Sequence, residues 1–581
     1  MSSVQRFLTK LPEYLIALVL VAVPFYALLT VWAASFVGHY TAIRLWPEYI
    51  LAPLALWTVI VLARDKKIRS SIFSTRLARL IIAYLVLNIL VGVVALLQGN
   101  VNPKALFYGL LLNTRPLIWL GVVWVATIKT FWLWSHWQRI ILLPLAIVAV
   151  FAVLQFFVLP SDFLAHFGYK AGATIAPAQT INQDTLTIRA QAFLRGPNQL
   201  GAYLVVGLGV LLVTTMHYWR KLILLVITAL ALIVSFSRSA WLGLVGVLAG
   251  LVVSMVHGRN TKRIIIIMLA GLTLSGGAVY VFRNNDGLQN ALFHVNEHST
   301  ASVTSNEGHV SATNGALHEI ANEPFGRGSG TAGPASDYNT ENPPRNSESY
   351  FLNIGQELGW LGVILFLGIL YDLLVSLRNN KSTLGQAVLY GLYGLILVNI
   401  FSYAWIDPTL SYIWWGLAGL VVAGSAGSQV TTYKFAANLR VKLCAQYRRR
   451  RPAKRDFIQF AYFNLGGVVF FVVGYLVFAL LFGALHWHWL IAKCIGDLVG
   501  WGLNYLIQHY LAFNEPAQAQ GHRKILKKYV PFSLLNVLID YAIVGGLRLV
   551  GVTPFIGLWV ASLFFTVWKW LWYKHWIFAR K

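Results

Sequence analysis

The chain has 581 residues, of which 57% are apolar and only 11% charged, a composition outside the soluble globular range and suited to a protein solvated by lipid. Its formal net charge of +26 would point to a polyanion partner in a soluble protein, but the basic residues fall in the segments between apolar runs, which is membrane topology and argues against nucleic acid. Two cysteines, Cys444 and Cys494, exclude a disulfide framework and a thiolate metal site.

The apolar runs are roughly 17 to 25 residues long, the length a helix needs to cross about 30 Å of hydrocarbon. The first, Tyr14 to Phe36, follows Arg6 and Lys10 and exceeds the apolar region of a secretory signal, so it reads as a first span. Sixteen spans are predicted, at 14–36, 47–63, 79–97, 106–127, 140–159, 198–215, 222–236, 239–256, 263–281, 350–370, 385–403, 410–424, 458–482, 488–508, 530–549 and 553–572. Alternating the connections places most of the 46 Lys and Arg on the side of the N-terminus, including Arg64, Lys66, Lys67, Arg69, Arg259, Lys262, Arg263, Arg523, Lys524, Lys527 and Lys528. By the positive-inside rule that side is the cytoplasm, and both termini lie there. The expected fold class is all-α: a polytopic membrane helix bundle of about sixteen transmembrane helices with one large extracytoplasmic loop.

That loop, about 282–349, is rich in Gly, Asn, Ser and Thr and holds eight of the chain's 20 acids, with a helix-compatible stretch from Ala312 to Ile320. Loops of this length usually carry function. A basic run from Lys434 to Asp456, containing Arg448 to Arg451, Lys454 and Arg455, interrupts the apolar pattern. It divides the chain into a membrane domain at 1–430, a cytoplasmic linker at 431–456 and a four-span domain at 457–581.

Ionisable residues in or beside spans that topology does not explain are the candidates for chemistry. Arg189 and Arg195 fall just before span six and Asn198 at its start, and Arg238 lies at the outer hinge between spans seven and eight. All belong to one membrane face. Guanidinium groups stay charged and present a fork that matches phosphate oxygens, so their convergence suits a lipid-linked diphosphate; snorkelling to headgroups is the alternative for each arginine taken alone. Arg115, within span four and followed by Pro116, requires a partner or a water-filled cavity. Arg345 and Glu348 close the outer loop where it enters span ten, and a carboxylate there can act as a general base. Glu357, two turns into that span, reads as a structural acid paired with an arginine or as a second functional carboxylate. Asp372, Asp407, Asp497 and Asp540 receive no role. His486 and His488 alternate with Trp487 and Trp489 in an interfacial aromatic belt. No cluster has the ligand count of a metal site and no Gly-rich phosphate loop precedes a soluble helix, so neither metal nor cofactor is expected.

Several motifs carry a family resemblance. Arg-Gly-Pro-Asn-Gln-Leu-Gly at 195–201, Ser-Phe-Ser-Arg-Ser-Ala-Trp-Leu-Gly at 235–243, Asn-Glu-Pro-Phe-Gly-Arg-Gly-Ser-Gly-Thr-Ala-Gly at 322–333 and the loop-to-span junction at 348–362 resemble, in this order, the bacterial O-antigen ligase and polymerase family over residues 10–425. The resemblance implies transfer or polymerisation of glycans carried on undecaprenyl diphosphate at the outer face of the cell membrane, without metal or nucleotide sugar. With the reading of the residues above, Glu348, Arg238 and Arg195 are assigned to catalysis, Glu348 or another loop residue activating an acceptor hydroxyl, and Arg189, Arg115, Arg345 and Asn198 to substrate binding. Ligase-type members often carry a histidine where the loop enters the span; counting back from Glu357-Leu-Gly places Glu348 there, and polymerase and non-lipopolysaccharide ligase both stay open. Residues 457–581, through Phe-Ala-Tyr-Phe-Asn-Leu-Gly-Gly at 460–467, Leu-Asn-Tyr-Leu-Ile-Gln-His-Tyr-Leu-Ala-Phe at 503–513 and Trp-Tyr-Lys-His-Trp-Ile-Phe at 572–578, resemble the GtrA-like family associated with lipid-linked sugars. A weak internal repeat there suits a midplane carrier site; a scaffold or regulatory module is the other reading. The expected partners are the lipid-linked glycan, the bilayer and other cell-surface polysaccharide synthesis proteins. The rival to catalysis is a transporter or flippase that binds the same headgroup and breaks no bond.

Overall fold

The computed structural model describes residues 3–181, 184–255 and 305–426, together with 525–536 and scattered positions between 463 and 577. The chain divides into two compact units, Met1–Thr432 and Tyr433–Lys581.

The first unit is a bundle of long apolar helices. A helix α1 (Ser3–Ala22), a 3-10 turn at Val23–Phe25 and α2 (Tyr26–Val37) form one broken rod; Pro24 in the turn lacks the N–H that would continue the α ladder. Next come α3 (Trp46–Arg64), α4 (Arg76–Leu97), α5 (Pro103–Thr130) and α6 (Trp132–Phe157). Thr75 caps α4 by accepting from Ala78 N–H, and Asn102 caps α5 by accepting from Ala105 N–H, with Pro103 at the first helical position where a missing donor costs nothing. A short antiparallel ribbon, β1 (Gln179–Ile181) and β2 (Asp184–Arg189), pairs Gln179 with Arg189. Then follow α7 (Pro197–Val213), α8 (Tyr218–Val234), α9 (Arg238–Met255), the loop helix α10 (Ser305–Asn322), α11 (Tyr350–Asn379), α12 (Thr383–Ile400) and α13 (Pro408–Ala426).

Among the described residues, seven helices are long and apolar enough to cross a membrane, and three shorter apolar helices accompany them. The chain is a multi-pass, all-α membrane protein whose only described strands are the small ribbon. Predicted span nine (263–281), the first part of the loop (282–304), the linker (431–456), His486 and His488 lie outside the described residues, as does most of the four-span region, so the count of sixteen rests in part on them.

The interior follows membrane packing rules. Gly243, Gly246 and Gly250 of α9 lie against Tyr393, Gly394 and Val398 of α12; small residues let backbones approach where no hydrophobic effect drives helices together. Trp119, Trp405, Trp414 and Trp415 fill the centre, with Trp119 Nε1 donating to Tyr412 O at 2.7 Å and Trp414 Nε1 to Val388 O at 3.2 Å. Outward faces are apolar instead, as Val86, Ile89, Leu90 and Val93 of α4 show, because lipid rather than water covers them.

Part of the loop, expected to be extracytoplasmic, packs against the bundle. Helix α11 breaks at Gly359, whose φ of 65° is left-handed, and the segment 324–333 inserts beside the break. Arg327 N–H donates to the freed carbonyl of Gln356 at 3.0 Å, Gly328 N–H to that of Glu357 at 2.9 Å, and Trp360 N–H to Pro324 O at 3.0 Å. Irregular backbone is tolerated at membrane depth only when its polar groups are satisfied in this way. The glycines make the insertion feasible: a Cβ on Gly330 (φ 91°) would run into the Ala105 carbonyl, and one on Gly109 of α5 into the backbone of Gly330.

Candidate active site

At the loop-bearing end of the first unit, the turn 190–195 is built by side chains below it. Gln155 Oε1 of α6 accepts from Gln191 N–H at 3.1 Å and Ala192 N–H at 2.7 Å, Gln191 Nε2 donates to Ala176 O at 2.9 Å, and Phe193 stacks on Phe151 with centroids 4.1 Å apart. Arg195 emerges from this turn exposed, and among the described residues no hydrogen bond or ion pair of its guanidinium is present. Its charge acts on Asp407 and on Tyr26. Asp407 is 3% exposed; its one oxygen accepts from Thr409 N–H at 2.9 Å and the other, Oδ2, has no hydrogen-bond partner among the described residues. Burial pushes the Asp407 carboxyl up, and Arg195 is the foremost influence pulling it back.

Arg189, at the end of β2, donates through Nε to Ser235 O at 3.0 Å and through one terminal nitrogen to Asn198 Oδ1 at 2.8 Å and Phe236 O at 3.2 Å. All three acceptors are neutral. Burial, then the charge of Arg238, push Arg189 down to about 10. Two cations are therefore held close at the start of α9, an arrangement that an anion would relieve. The structure thus brings Arg189, Asn198 and Arg238 together and leaves Arg195 facing outward nearby.

Arg115 and Arg345 are placed differently. Arg115, 2% exposed, pairs with Glu48 at 2.8 Å, donates to Ser411 Oγ at 3.2 Å and also reaches the Ile406 carbonyl; the partner that a charge in a span requires is Glu48. Arg345 lies between Glu319 at 2.7 Å and Glu323 at 3.0 Å and so fastens α10 to the end of the loop. Glu357 pairs with no arginine in hydrogen-bond contact: it accepts from Asn113 Nδ2 at 2.5 Å and from Gly330 N–H at 2.7 Å, anchoring the inserted segment.

Glu348 has a left-handed φ of 52°. Its N–H donates to the Tyr403 hydroxyl at 2.8 Å and to Asn346 Oδ1 at 3.0 Å, Ser347 N–H reaches the same hydroxyl at 2.8 Å, and Tyr403 in turn donates to Asn346. Burial pushes the Tyr403 phenol up, so it stays a neutral hydroxyl. The Glu348 carboxylate meets His309 Nδ1 of α10, both side chains about one-third exposed at 33% and 39%. An exposed ion pair contributes roughly 0–1 kcal/mol, whereas a left-handed non-glycine residue costs about 1–2 kcal/mol. The pair alone does not repay the strain; the hydrogen bonds from Glu348 N–H to Tyr403 and Asn346 hold the conformation.

One segment joins the two halves of this face. Residues 401–407, between α12 and α13, place Tyr403 under Glu348, Ser402 O on Tyr350 N–H at 3.2 Å, Ile406 O on Arg115 and Asp407 beside Arg195. Sequence reasoning missed His309, Tyr403 and Glu48 and gave Asp407 no role, for their contacts span 39 to hundreds of residues. In the second unit, Phe463, Tyr505, Phe513, Tyr529, Phe532 and Tyr573 form an aromatic core, and buried Gln508 donates to Phe463 O at 2.9 Å and to Asn504 Oδ1 at 3.0 Å.

An apolar bundle with a docked polar loop, the close pair Arg189 and Arg238, and Glu348 on a left-handed backbone describes a multi-pass membrane protein with a polar cluster at its loop-bearing end. Residues 223–367 match the O-antigen ligase family, and residues 462–578 match the GtrA/DPMS transmembrane domain. The chain is thus similar to both families in the order its motifs predicted, and the first match supports a ligase- or polymerase-like function in the membrane. That match includes Arg238, Arg345 and Glu348 and stops short of Arg189 and Arg195. No curated protein matches the chain.

Proposed function

We propose that residues 1–430 form a glycosyltransferase that transfers glycan from undecaprenyl diphosphate to a sugar hydroxyl at the outer face of the bacterial cell membrane, both termini being cytoplasmic. Arg189, Arg238 and Arg195 take the diphosphate, with Asn198 orienting Arg189, and the Glu348 junction activates the acceptor. Stabilising the leaving diphosphate by preorganised cations is the principal electrostatic contribution in such a displacement. The observation that carries this reading is the pair Arg189 and Arg238: two cations held close, with Arg189 bonded among the described residues only to neutral oxygens, suit a doubly anionic group. Arg115 and Arg345 support the site from their ion pairs. Residues 457–581 present the same lipid-linked sugar across the bilayer or dock a partner of the same synthesis, across the linker 431–456.

The test is reconstituted full-length protein with an undecaprenyl-diphosphate-linked oligosaccharide, read by glycan length and by released lipid diphosphate. Arg195→Ala, exposed and unpaired among the described residues, should keep the wild-type melting temperature and lose on the order of 100-fold in turnover. A donor that crosses the bilayer with its glycan unchanged would establish the flippase reading in its place.

A further inference from the structure

We propose that the atom accepting the acceptor's proton is Nε2 of His309, with Glu348 as the positioning residue that holds the imidazole. This rests on the transferase reading and names its base.

The loop helix presents His309 in register. Ala316 and Ile320, at 2% and 3% exposure, face the bundle, and His309 lies seven and eleven residues before them, on the same side of a 3.6-residue helix. The helix is pinned at its other end: Arg345 binds Glu319 and Glu323, and Gln356 Nε2 of α11 reaches Glu319 at 2.5 Å. The Glu348 backbone is fixed by Tyr403 and Asn346, so its carboxylate meets Nδ1 of His309 from a fixed position. A carboxylate on Nδ1 sets the tautomer that carries its proton there and leaves the Nε2 lone pair free to accept one. Glu348, already engaged, is poorly disposed to be the base itself. Arg345 is taken up by its two glutamates, and the neutral Tyr403 hydroxyl by the backbone it supports.

The step balances. The acceptor hydroxyl oxygen forms a bond to the anomeric carbon as the bond from that carbon to the phosphate oxygen breaks, its electron pair leaving on the lipid diphosphate. The hydroxyl proton passes to Nε2, the resulting imidazolium is stabilised by Glu348, and water later removes the proton.

The experiment uses the reconstituted full chain with an undecaprenyl-diphosphate-linked oligosaccharide and a free oligosaccharide acceptor. His309→Gln should lower turnover at least 100-fold with the donor KM within threefold of wild type. His309→Ala should regain activity with added imidazole, and with substituted imidazoles its acid limb should follow the pKa of the added base. Glu348→Gln should move the wild-type acid limb while imidazole leaves it unrescued. A His309→Gln variant within threefold of wild type, with the same acid limb, overturns the assignment and leaves Glu348 as base. Wild-type protein that releases no lipid diphosphate overturns the transferase reading itself, an outcome separate from the first because it is read before any variant.

Discussion

Gly330→Ala is the sharpest test of how the loop is seated. At φ 91° an L side chain costs about 1–2 kcal/mol, and the added Cβ meets the backbone carbonyl of Ala105, which belongs to helix α5 and cannot give way. Docked, Gly330 N–H stays on the buried Glu357 carboxyl, a bond that resists lifting in wild type and variant alike and so does not enter the difference. The strain alone therefore favours lifting by about 1–2 kcal/mol, and with the clash added the undocked loop gains about 10-fold or more in population at 1.4 kcal/mol per factor of ten. Proteolytic nicking follows the open population when closing is fast, so limited proteolysis of protein in lipid nanodiscs should cut between 323 and 349 about 10 times faster. Glu357→Leu, which strands both Gly330 N–H and the Asn113 amide, should do the same, and the double variant should add less than the sum of the two. Nicking within threefold of wild type would refute the docking energetics.

Two further outcomes follow from the buried charges. Arg115→Leu should destabilise the protein by about 3–5 kcal/mol by leaving Glu48 unpaired, seen as lost folded yield in detergent, and Arg115→Leu with Glu48→Leu should recover much of it; a double variant as unstable as the single one would mean that the contacts to Ile406 and Ser411 dominate. Arg189, pushed down to about 10, titrates in an accessible window. Below pH 10 it is cationic in folded and unfolded chains alike and the cost of holding it beside Arg238 is fully present, so stability from this group rises as pH climbs from about 10 towards the ordinary arginine value. Binding of inorganic pyrophosphate needs the cation and runs the opposite way, weakening as pH passes about 10, and Arg238→Gln should move that midpoint upward; affinity unchanged from pH 8 to 11 would remove Arg189 from the site.

The bundle was legible because lipid imposes its length on every span: within the described residues the predicted runs fall on helices, with α11 extending to Asn379 where 370 was expected. The need of Arg115 for a partner was also legible, though Glu48 was not, since hydropathy says nothing about which polar groups meet. The glycine motif at 322–333 stood out in the sequence, but its physical meaning, a chain seated against a broken helix, depends on Ala105, Gly109 and Glu357, which no spacing rule connects to it. His309 was invisible for the same reason: its position opposite Glu348 is created by the fastening of α10 through Arg345. The strain at Glu348 belongs to the backbone, and residue identity alone does not report it.

The break at Gly359 divides mechanical allegiance within a single span. Residues 350–358 are bonded to the inserted segment through the carbonyls of Gln356 and Glu357, while the remainder of α11 packs along α4. A span adjusts to a thinner or thicker bilayer by tilting, and here the tilt can be taken up below the break. The nine residues above it are tied to the docked segment, so the position of Glu348 is referenced to that segment rather than to the lower part of the span.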